Sequence, residues 1–160
     1  VFQAAGINSG YVDLGGDIRV VGPKPDGTPW AIGIRHPRKP GELIASLQVP
    51  LGAVATSGDY ERYFIHQGQR YCHILSPKTG MPVSYWQSIS VLAPMASIAG
   101  ATCTLAMLKE AEGLDFLRQS GFSFLAIDAQ GQSIYQSVGE RAKARMPAIL
   151  EQMAKARALV

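Results

Sequence analysis

Three residues that can support group transfer lie close together in the middle of the chain. Ser57 offers a hydroxyl, His73 an imidazole and Lys78 a cation. The alternation of residue types over 60–71 and the glycine within it predict a β-hairpin with His73 on the returning strand. Residues 77–80 then have turn composition. The hydroxyl, the imidazole and the cation are therefore expected to meet at one end of a sheet.

This group of residues suits chemistry on a phosphate ester. The Ser57 hydroxyl and the backbone N–H groups at Ser57 and Gly58 can cradle a phosphate. Because imidazole groups exchange protons near neutral pH, His73 can take a proton from an attacking hydroxyl or assist a leaving phosphate. The alternatives are a Ser-Gly pair that only forms a turn and a histidine that is only structural. Asp59 and Glu61 are excluded from a phosphate cradle by their negative charge.

A second candidate binding segment is the pair Gly15-Gly16, which lies between two predicted strands. Glycines let a backbone come close to a ligand or to another strand, because they carry no side chain. An ordinary tight turn explains the same residues equally well. Both interpretations remain open from the sequence.

The elements that must position these residues follow from hydrophobic periodicity and turn residues. Strands are predicted at 11–14, 18–21, 30–34, 42–49, 53–56 and 88–93, and a final hairpin at 122–128 and 133–137. The strand at 30–34 is expected to pair with 18–21 across the loop 23–29. Helices are predicted at 95–108 and 111–119. The fold class is therefore α+β, with a mainly antiparallel sheet and two or three helices packed on it.

Length and composition limit the function classes. The chain has 160 residues, 47% hydrophobic and 17% charged, with a net charge of +3, which is typical of one globular domain. Scattered basic residues give no nucleic-acid footprint, and no apolar run is long enough for a transmembrane segment. Cys72 and Cys103 lack disulfide-framework or metal spacing. Because the chain begins with Val, we expect it to be a piece of a longer product.

The C-terminal segment 139–160 differs in composition from the domain predicted over 1–138. Basic residues flank Ile149, Leu150 and Met153, which predicts a basic amphipathic helix. It is interpreted as a solvated helix lying on the domain. The alternative is a helix that faces a partner or a membrane.

Three motifs in this order resemble the C-terminal half of the ApbE family of flavin transferases. They are Leu14-Gly-Gly-Asp-Ile-Arg19, Ala55-Thr-Ser-Gly-Asp-Tyr-Glu-Arg62 and His73-Ile-Leu-Ser-Pro-Lys-Thr-Gly-Met-Pro82. The resemblance covers roughly 6–136. It implies an ApbE-like fold and an FAD:protein FMN transferase, which moves FMN from FAD onto a threonine or serine of an acceptor flavoprotein subunit and releases AMP.

The resemblance also implies site residues and partners. It places His73 in the catalytic role and the FAD site at Gly15, Gly16, Ser57, Gly58, Leu75, Lys78 and Thr79. It implies that the N-terminal half is missing here or lies on a second chain. The expected location is exported, periplasmic or membrane-anchored.

The family's magnesium motif is where this chain departs from the pattern. In the family, acidic residues and a threonine at the start of a helix hold Mg²⁺. Here Thr104 matches, whereas Gly100 and Cys103 stand at the positions of the acidic ligands. Outside this motif, Ser76 stands after Leu75 where the family usually has aspartate, and it keeps a turn-forming oxygen without the charge. Since Mg²⁺ requires oxygen ligands, we expect this chain to bind it weakly or not at all.

Three function hypotheses follow. The first is an FMN transferase of which this chain is the C-terminal portion. The second is a degenerate homologue that binds flavin or a partner without turnover. The third is an α+β interaction domain that uses its C-terminal helix. Binding of FAD separates the third hypothesis from the first two, and release of AMP from FAD separates the first from the second.

Overall fold

The structure, a computed structural model, describes residues 2–137. Its strands are β1 (Gly10–Leu14), β2 (Asp17–Gly22), β3 (Trp30–Arg35), β4 (Leu43–Val49), β5 (Gly52–Gly58), β6 (Tyr63–His66), β7 (Gln69–Cys72), β8 (Trp86–Ala93), β9 (Ser123–Asp128) and β10 (Ser133–Gln136). Its α-helices are α1 (Ala96–Leu108) and α2 (Gly113–Ser120), and 3₁₀ turns lie at Gln3–Ala5 and Glu110–Glu112. The helix predicted over 139–160 lies outside the described residues.

One antiparallel sheet dominates the architecture. Six strands form it in the order β1-β2-β5-β8-β9-β10, while β3–β4 and β6–β7 are separate two-stranded hairpins. Helices α1 and α2 follow β8 and pack together. The predicted α+β class with a mainly antiparallel sheet is confirmed.

Helix α1 covers one face of the sheet, mainly over β5 and β8. Four of its five buried residues, Ala99, Thr102, Cys103 and Ala106, are small, so the helix backbone approaches the strands closely. The Cys103 thiol donates a hydrogen bond to the Ala55 carbonyl oxygen at 3.2 Å. This close contact fixes where Gly100 and Thr104, one turn apart on α1, stand above β5. Among the helices of residues 2–137, none combines the length and the apolar character needed to cross a bilayer.

The β3–β4 hairpin covers the opposite face of the sheet. Ile32 and Ile34 are buried there against Val20 and Val54 of the sheet. The expected pairing of 30–34 with 18–21 was wrong. Strand β2 already has β1 on one edge and β5 on the other, so it has no free edge for a third strand.

The hairpin predicted over 60–71 is present as β6–β7. His66 pairs with Gln69, which leaves Gln67 and Gly68 as a two-residue loop with φ of 50° and 79°. Positive φ at both positions is the geometry of the tight turns that suit hairpin twist. His73 lies just after β7 rather than within it, because the strand ends one residue earlier.

Candidate functional site

The turn between β1 and β2 presents bare backbone to its surroundings. Leu14 pairs with Asp17, so Gly15 and Gly16 form the loop, with φ of 68° and 95°. Asp13 Oδ1 accepts a hydrogen bond from the Gly16 N–H at 2.8 Å, which holds the turn. Apart from its neighbours in the chain, no atom of residues 2–137 lies within 4 Å of the Cβ position of either glycine. A ligand can therefore reach this backbone directly, as the binding interpretation requires.

The end of β5 meets helix α1 beside this turn. The hydroxyl oxygens of Ser57 and Thr104 are 3.0 Å apart and share a hydrogen bond. On the neighbouring strand, Ile18 pairs with Val54, which puts Asp17 next to β5 at the level of residue 55. We call Asp17, Ser57, Gly100 and Thr104 together the α1 edge. Gly100 and Thr104 lie on one side of this helix, and Asp17 and Ser57 lie next to them.

Gly100 and Asp17 are direct neighbours within the α1 edge. A Cβ at position 100 would lie 3.6 Å from Asp17 Oδ2 and 3.9 Å from the Ala55 Cβ, which are ordinary contact distances. The sequence therefore lacks a carboxylate at position 100, but a carboxylate from β2 stands beside that position. Sequence reasoning did not include Asp17 in the site. The available signal was an aspartate directly after two glycines at the start of a strand.

The surroundings of Asp17 disfavour its charged form. Partial burial, and then the charge of Asp13, raise the pKa of the Asp17 carboxyl above its ordinary value. No hydrogen bond or ion pair with another described residue offsets this effect. A cation placed near both carboxylates would lower the pKa of Asp17.

Cys103 does not take part in this site. Its thiol is fully buried and donates to the Ala55 carbonyl oxygen, and burial raises its pKa to about 12. A thiol ligates metal as the thiolate, which this site strongly disfavours. Position 103 is therefore a core position here rather than a ligand position.

The residues present at the α1 edge fit Mg²⁺ only in part. Within residues 2–137, no three His, Cys, Asp or Glu side chains come together as a metal cluster. The α1 edge instead offers one carboxylate, from Asp17, and the hydroxyls of Ser57 and Thr104. These are hard oxygen donors of the kind that Mg²⁺ accepts, and protein sites for this ion often use one carboxylate with substrate phosphates.

His73 is exposed and has a defined hydrogen bond. Its Nδ1 lies 3.2 Å from the Arg62 carbonyl oxygen. Since a carbonyl oxygen can only accept, Nδ1 carries the proton in this contact and Nε2 keeps a lone pair. The ring is thus held in the tautomer that can accept a proton at its outer nitrogen, which suits the predicted role.

The segment after His73 forms the predicted turn. The Ser76 carbonyl oxygen accepts from the Gly80 N–H and the Ser76 N–H donates to the Met81 carbonyl oxygen, each at 2.8 Å. The Thr79 hydroxyl accepts from the Met81 N–H at 3.2 Å, so this side chain has a local structural role. Ser76 supplies its side-chain oxygen to the Lys78 N–H at 3.4 Å, which is the turn function expected of it.

Leu75 and Lys78 leave their side chains available on this turn. Leu75 is half exposed and forms an isolated bridge with Pro82. The Lys78 ammonium has no ion pair with any other residue of 2–137. The expected meeting of Ser57, His73 and Lys78 is not seen as direct contacts, because the Ser57 hydroxyl binds Thr104 and the His73 ring binds Arg62. The predicted residues thus fall into two groups, at the α1 edge and at the turn after His73.

An ion pair outside the predicted site holds the Ser57-Gly58 segment in place. Arg38 donates to both oxygens of the buried Asp59, at 2.6 Å each. The Asp59 N–H donates to the Gln87 carbonyl oxygen at 3.0 Å. Asp59 therefore anchors the end of β5 to the 36–42 loop. Sequence reasoning missed Arg38, since nothing in its own surroundings marks the distant partner.

Glu61 forms an ion pair with another side chain. This agrees with its exclusion from a phosphate cradle, which followed from its negative charge. Its carboxylate pairs with Arg35 at 3.1 Å, and both side chains are largely exposed. The two acidic residues that follow Ser57-Gly58 are therefore both neutralised by arginines of the β3–β4 hairpin and its loop. Neither charge is directed at a ligand.

Curated proteins with similar sequences carry the name FAD:protein FMN transferase. The FAD:protein FMN transferase of Haemophilus influenzae is 36% identical over 120 residues, which are 72% of this chain and 35% of that protein. The FAD:protein FMN transferase of Escherichia coli K12 is 29% identical over 136 residues, or 83% of this chain and 39% of that protein. The chain thus spans well under half the length of these curated relatives.

Solved structures of ApbE proteins are also similar to this chain. The ApbE protein of Thermotoga maritima matches with a TM-score of 0.74 and 36% identity, over 85% of this chain and 44% of that one. The flavin transferase ApbE of Vibrio cholerae matches with a TM-score of 0.71 and 29% identity, over 86% of this chain and 45% of that one. The sequence model of the ApbE family matches residues 1–126. The chain therefore belongs to the ApbE family.

Proposed function

We propose that this chain is the C-terminal portion of an FAD:protein FMN transferase and supplies one wall of its flavin site. The protein moves FMN from FAD onto a threonine or serine of an acceptor protein and releases AMP. The observation that carries the proposal is the convergence at the α1 edge. There the open backbone of Gly15-Gly16, the hydroxyls of Ser57 and Thr104 and the Asp17 carboxylate come together from three separate segments, which are the β1–β2 turn, the end of β5 and helix α1. The names of the relatives support the same activity.

Each group has a distinct role in the proposed reaction. The acceptor hydroxyl oxygen bonds to the phosphorus on the FMN side of the FAD pyrophosphate, and the phosphorus–oxygen bond to AMP breaks. The bridging oxygen and its electron pair leave with AMP. The proton of the acceptor hydroxyl passes to Nε2 of His73, which the Arg62 carbonyl keeps free to accept it.

Charge on the pyrophosphate and on the departing AMP must be stabilised for this reaction. The backbone N–H groups of Gly15 and of Ser57-Gly58 are suited to the phosphate oxygens, whereas the Gly16 N–H already donates to Asp13. Lys78 adds a free cation. A bound Mg²⁺ would neutralise part of the same charge. The aspartate at position 59 does not oppose it, because Arg38 pairs with both of its oxygens.

A chimeric protein tests the proposal. The C-terminal part of the H. influenzae relative is replaced by this chain, because the two are similar over 120 residues. FAD binding is followed by flavin fluorescence, and AMP release by chromatography in the presence of an acceptor protein. We expect FAD binding and AMP release from the chimera. From residues 1–160 alone we expect a folded protein without transfer.

The outcomes separate the remaining hypotheses. A folded chimera that binds FAD but releases no AMP would support a flavin-binding homologue without turnover. A folded chimera that leaves FAD fluorescence unchanged would contradict both flavin hypotheses and support an interaction domain. The parent H. influenzae protein, assayed beside the chimera, shows that the acceptor and the assay are competent.

A further inference from the structure

Position 100 lacks a side chain, but a carboxylate from another segment lies beside it. Asp17 Oδ2 lies 3.6 Å from the position that a Cβ of residue 100 would occupy. Asp17 comes from β2, whereas Gly100 and Thr104 come from α1. A carboxylate from the sheet thus stands beside the place where the family pattern has one on the helix.

We propose that Asp17 takes over the role of the missing helix carboxylate and, with Thr104, holds a divalent cation against a substrate phosphate. This inference rests on the proposed function, because the phosphate is that of FAD. The assignment differs from the family pattern, in which the carboxylate comes from the helix itself.

Among Asp13, Asp17 and Asp59, Asp17 is the residue whose carboxylate oxygens both lack a hydrogen-bond partner within residues 2–137. Asp13 Oδ1 is engaged by the Gly16 N–H, and Asp59 is engaged by Arg38 through both oxygens. Asp17 is only partly buried, and it makes no hydrogen bond or ion pair with the rest of residues 2–137. Rotation of its side chain therefore breaks no existing interaction.

The hydroxyl of Thr104 is arranged to act with it. Thr104 and Ser57 share one hydrogen bond at 3.0 Å. If Thr104 donates its proton to Ser57, its lone pairs remain available for a cation. Ser57 belongs to the segment proposed to hold a phosphate, so the hydroxyl pair joins the cation position to the phosphate position.

The nearby charges favour a divalent cation over a monovalent one. Asp13 and Asp17 are close enough for their charges to repel. A divalent ion offsets both charges, and the substrate phosphates supply further oxygen ligands. Sites built from one or two carboxylates and substrate phosphates are the usual way in which proteins hold Mg²⁺. Metal and FAD should therefore strengthen each other's binding.

Paramagnetic broadening by Mn²⁺, used in place of Mg²⁺, locates the site directly. Mn²⁺ is added below equimolar amounts to the ¹⁵N-labelled chain, and amide signals are followed by NMR. We expect selective broadening at residues 16–18 and 100–104. Asp17→Asn, which keeps the shape of the side chain, should abolish it, and adding Gly100→Asp to that variant should restore it.

A matched control separates ligation from general charge. Asp13→Asn removes a neighbouring negative charge but keeps an oxygen that can accept from the Gly16 N–H. It should retain the broadening pattern, at a modestly higher Mn²⁺ concentration. Equal loss in the Asp13 and Asp17 variants, or unchanged broadening in Asp17→Asn, would overturn the proposal. Dispersed spectra for all variants show that each one folds.

A second measurement distinguishes this inference from the proposed function. FAD binding to the chimera is measured by fluorescence with and without Mg²⁺. We expect Mg²⁺ to tighten FAD binding by at least about 5-fold, the lower end of typical coupling between sites, and Asp17→Asn to remove this gain. If Mg²⁺ does not change the affinity of the wild-type chimera for FAD, the inference about Asp17 is contradicted but the proposed FMN transfer is not. Asp17-dependent Mn²⁺ broadening without any FAD binding contradicts the function but leaves the cation site.

Discussion

Replacing Arg38 by alanine should destabilise the domain far more than removing any exposed charge. Arg38 makes two hydrogen bonds of 2.6 Å to the carboxylate of Asp59. The Asp59 side chain is only 10% exposed and that of Arg38 is 34% exposed. After Arg38→Ala, the Asp59 carboxylate would stay in the interior without its charged partner.

The magnitude follows from the burial of the two side chains. Breaking a fully buried ion pair by removing one partner costs about 3–5 kcal/mol. Because a third of the Arg38 side chain reaches water, we take a smaller value of about 2–3 kcal/mol. For a domain of this size, that loss corresponds to a fall in melting temperature of roughly 5–10 °C.

Arg35→Ala provides the matched control. Arg35 pairs with Glu61 at 3.1 Å, but its side chain is 72% exposed and that of Glu61 is 54% exposed. Exposed pairs contribute about 0–1 kcal/mol, so this variant should remain close to wild type. Urea unfolding followed by circular dichroism gives both free energies on one scale.

A double-mutant cycle completes the test. Adding Asp59→Asn to Arg38→Ala removes the stranded charge, so the double variant should be more stable than the sum of the two single losses predicts. Equal unfolding midpoints for Arg38→Ala and Arg35→Ala would refute the reasoning. Strict additivity in the cycle would show that the two side chains are not coupled.

Three further predictions concern single positions. Gly113→Ala should destabilise the domain by about 1–3 kcal/mol in urea unfolding, because its Cβ would lie 2.3 Å from the Ala106 carbonyl oxygen. Gly100→Ala is the control, since a Cβ fits there, and it should be neutral or stabilising. Equal losses of stability in the two variants would contradict this prediction. The Cys103 thiol, with its pKa raised to about 12, should resist a disulfide reagent at pH 8 in the folded chain but react in urea. Since only the unfolded thiol ionises between pH 9 and 12, the free energy of unfolding should fall with rising pH there, and Cys103→Ala should reduce that fall. His73→Ala should lower FMN transfer by the chimera at least about 10²-fold while leaving its melting temperature nearly unchanged; a drop of several degrees would indicate a structural histidine instead.

The sequence alone was sufficient for the elements that local patterns encode. Alternation and a glycine turn predicted β6–β7, and a change to helical spacing predicted α1 within one residue of its observed start. The second helix was predicted to end at 119, and α2 ends at Ser120, where Gly121 follows in the left-handed conformation. These features depend on neighbours a few residues away, so a single sequence contains the needed information. The three motifs also indicated the family.

Strand pairing required the tertiary structure. The chain order suggested that 30–34 pairs with 18–21, which is the nearest preceding strand. In the fold, β5 and β1 occupy both edges of β2, so β3 pairs with β4 and covers the other face of the sheet. Local patterns show that a segment is a strand but do not show which edges remain free.

The residues of the site also fall into two classes, those that the sequence predicted and those that only the fold revealed. His73, Ser57 and Thr104 were predicted from motifs, because each motif lies in one continuous stretch. The contact of Asp17 with position 100 and the pairing of Arg38 with Asp59 were not, because each joins segments far apart in the chain. Such contacts depend on the order of strands and on how closely α1 packs on β5. Only the tertiary structure could show that the position of the missing helix carboxylate has a carboxylate from the sheet beside it.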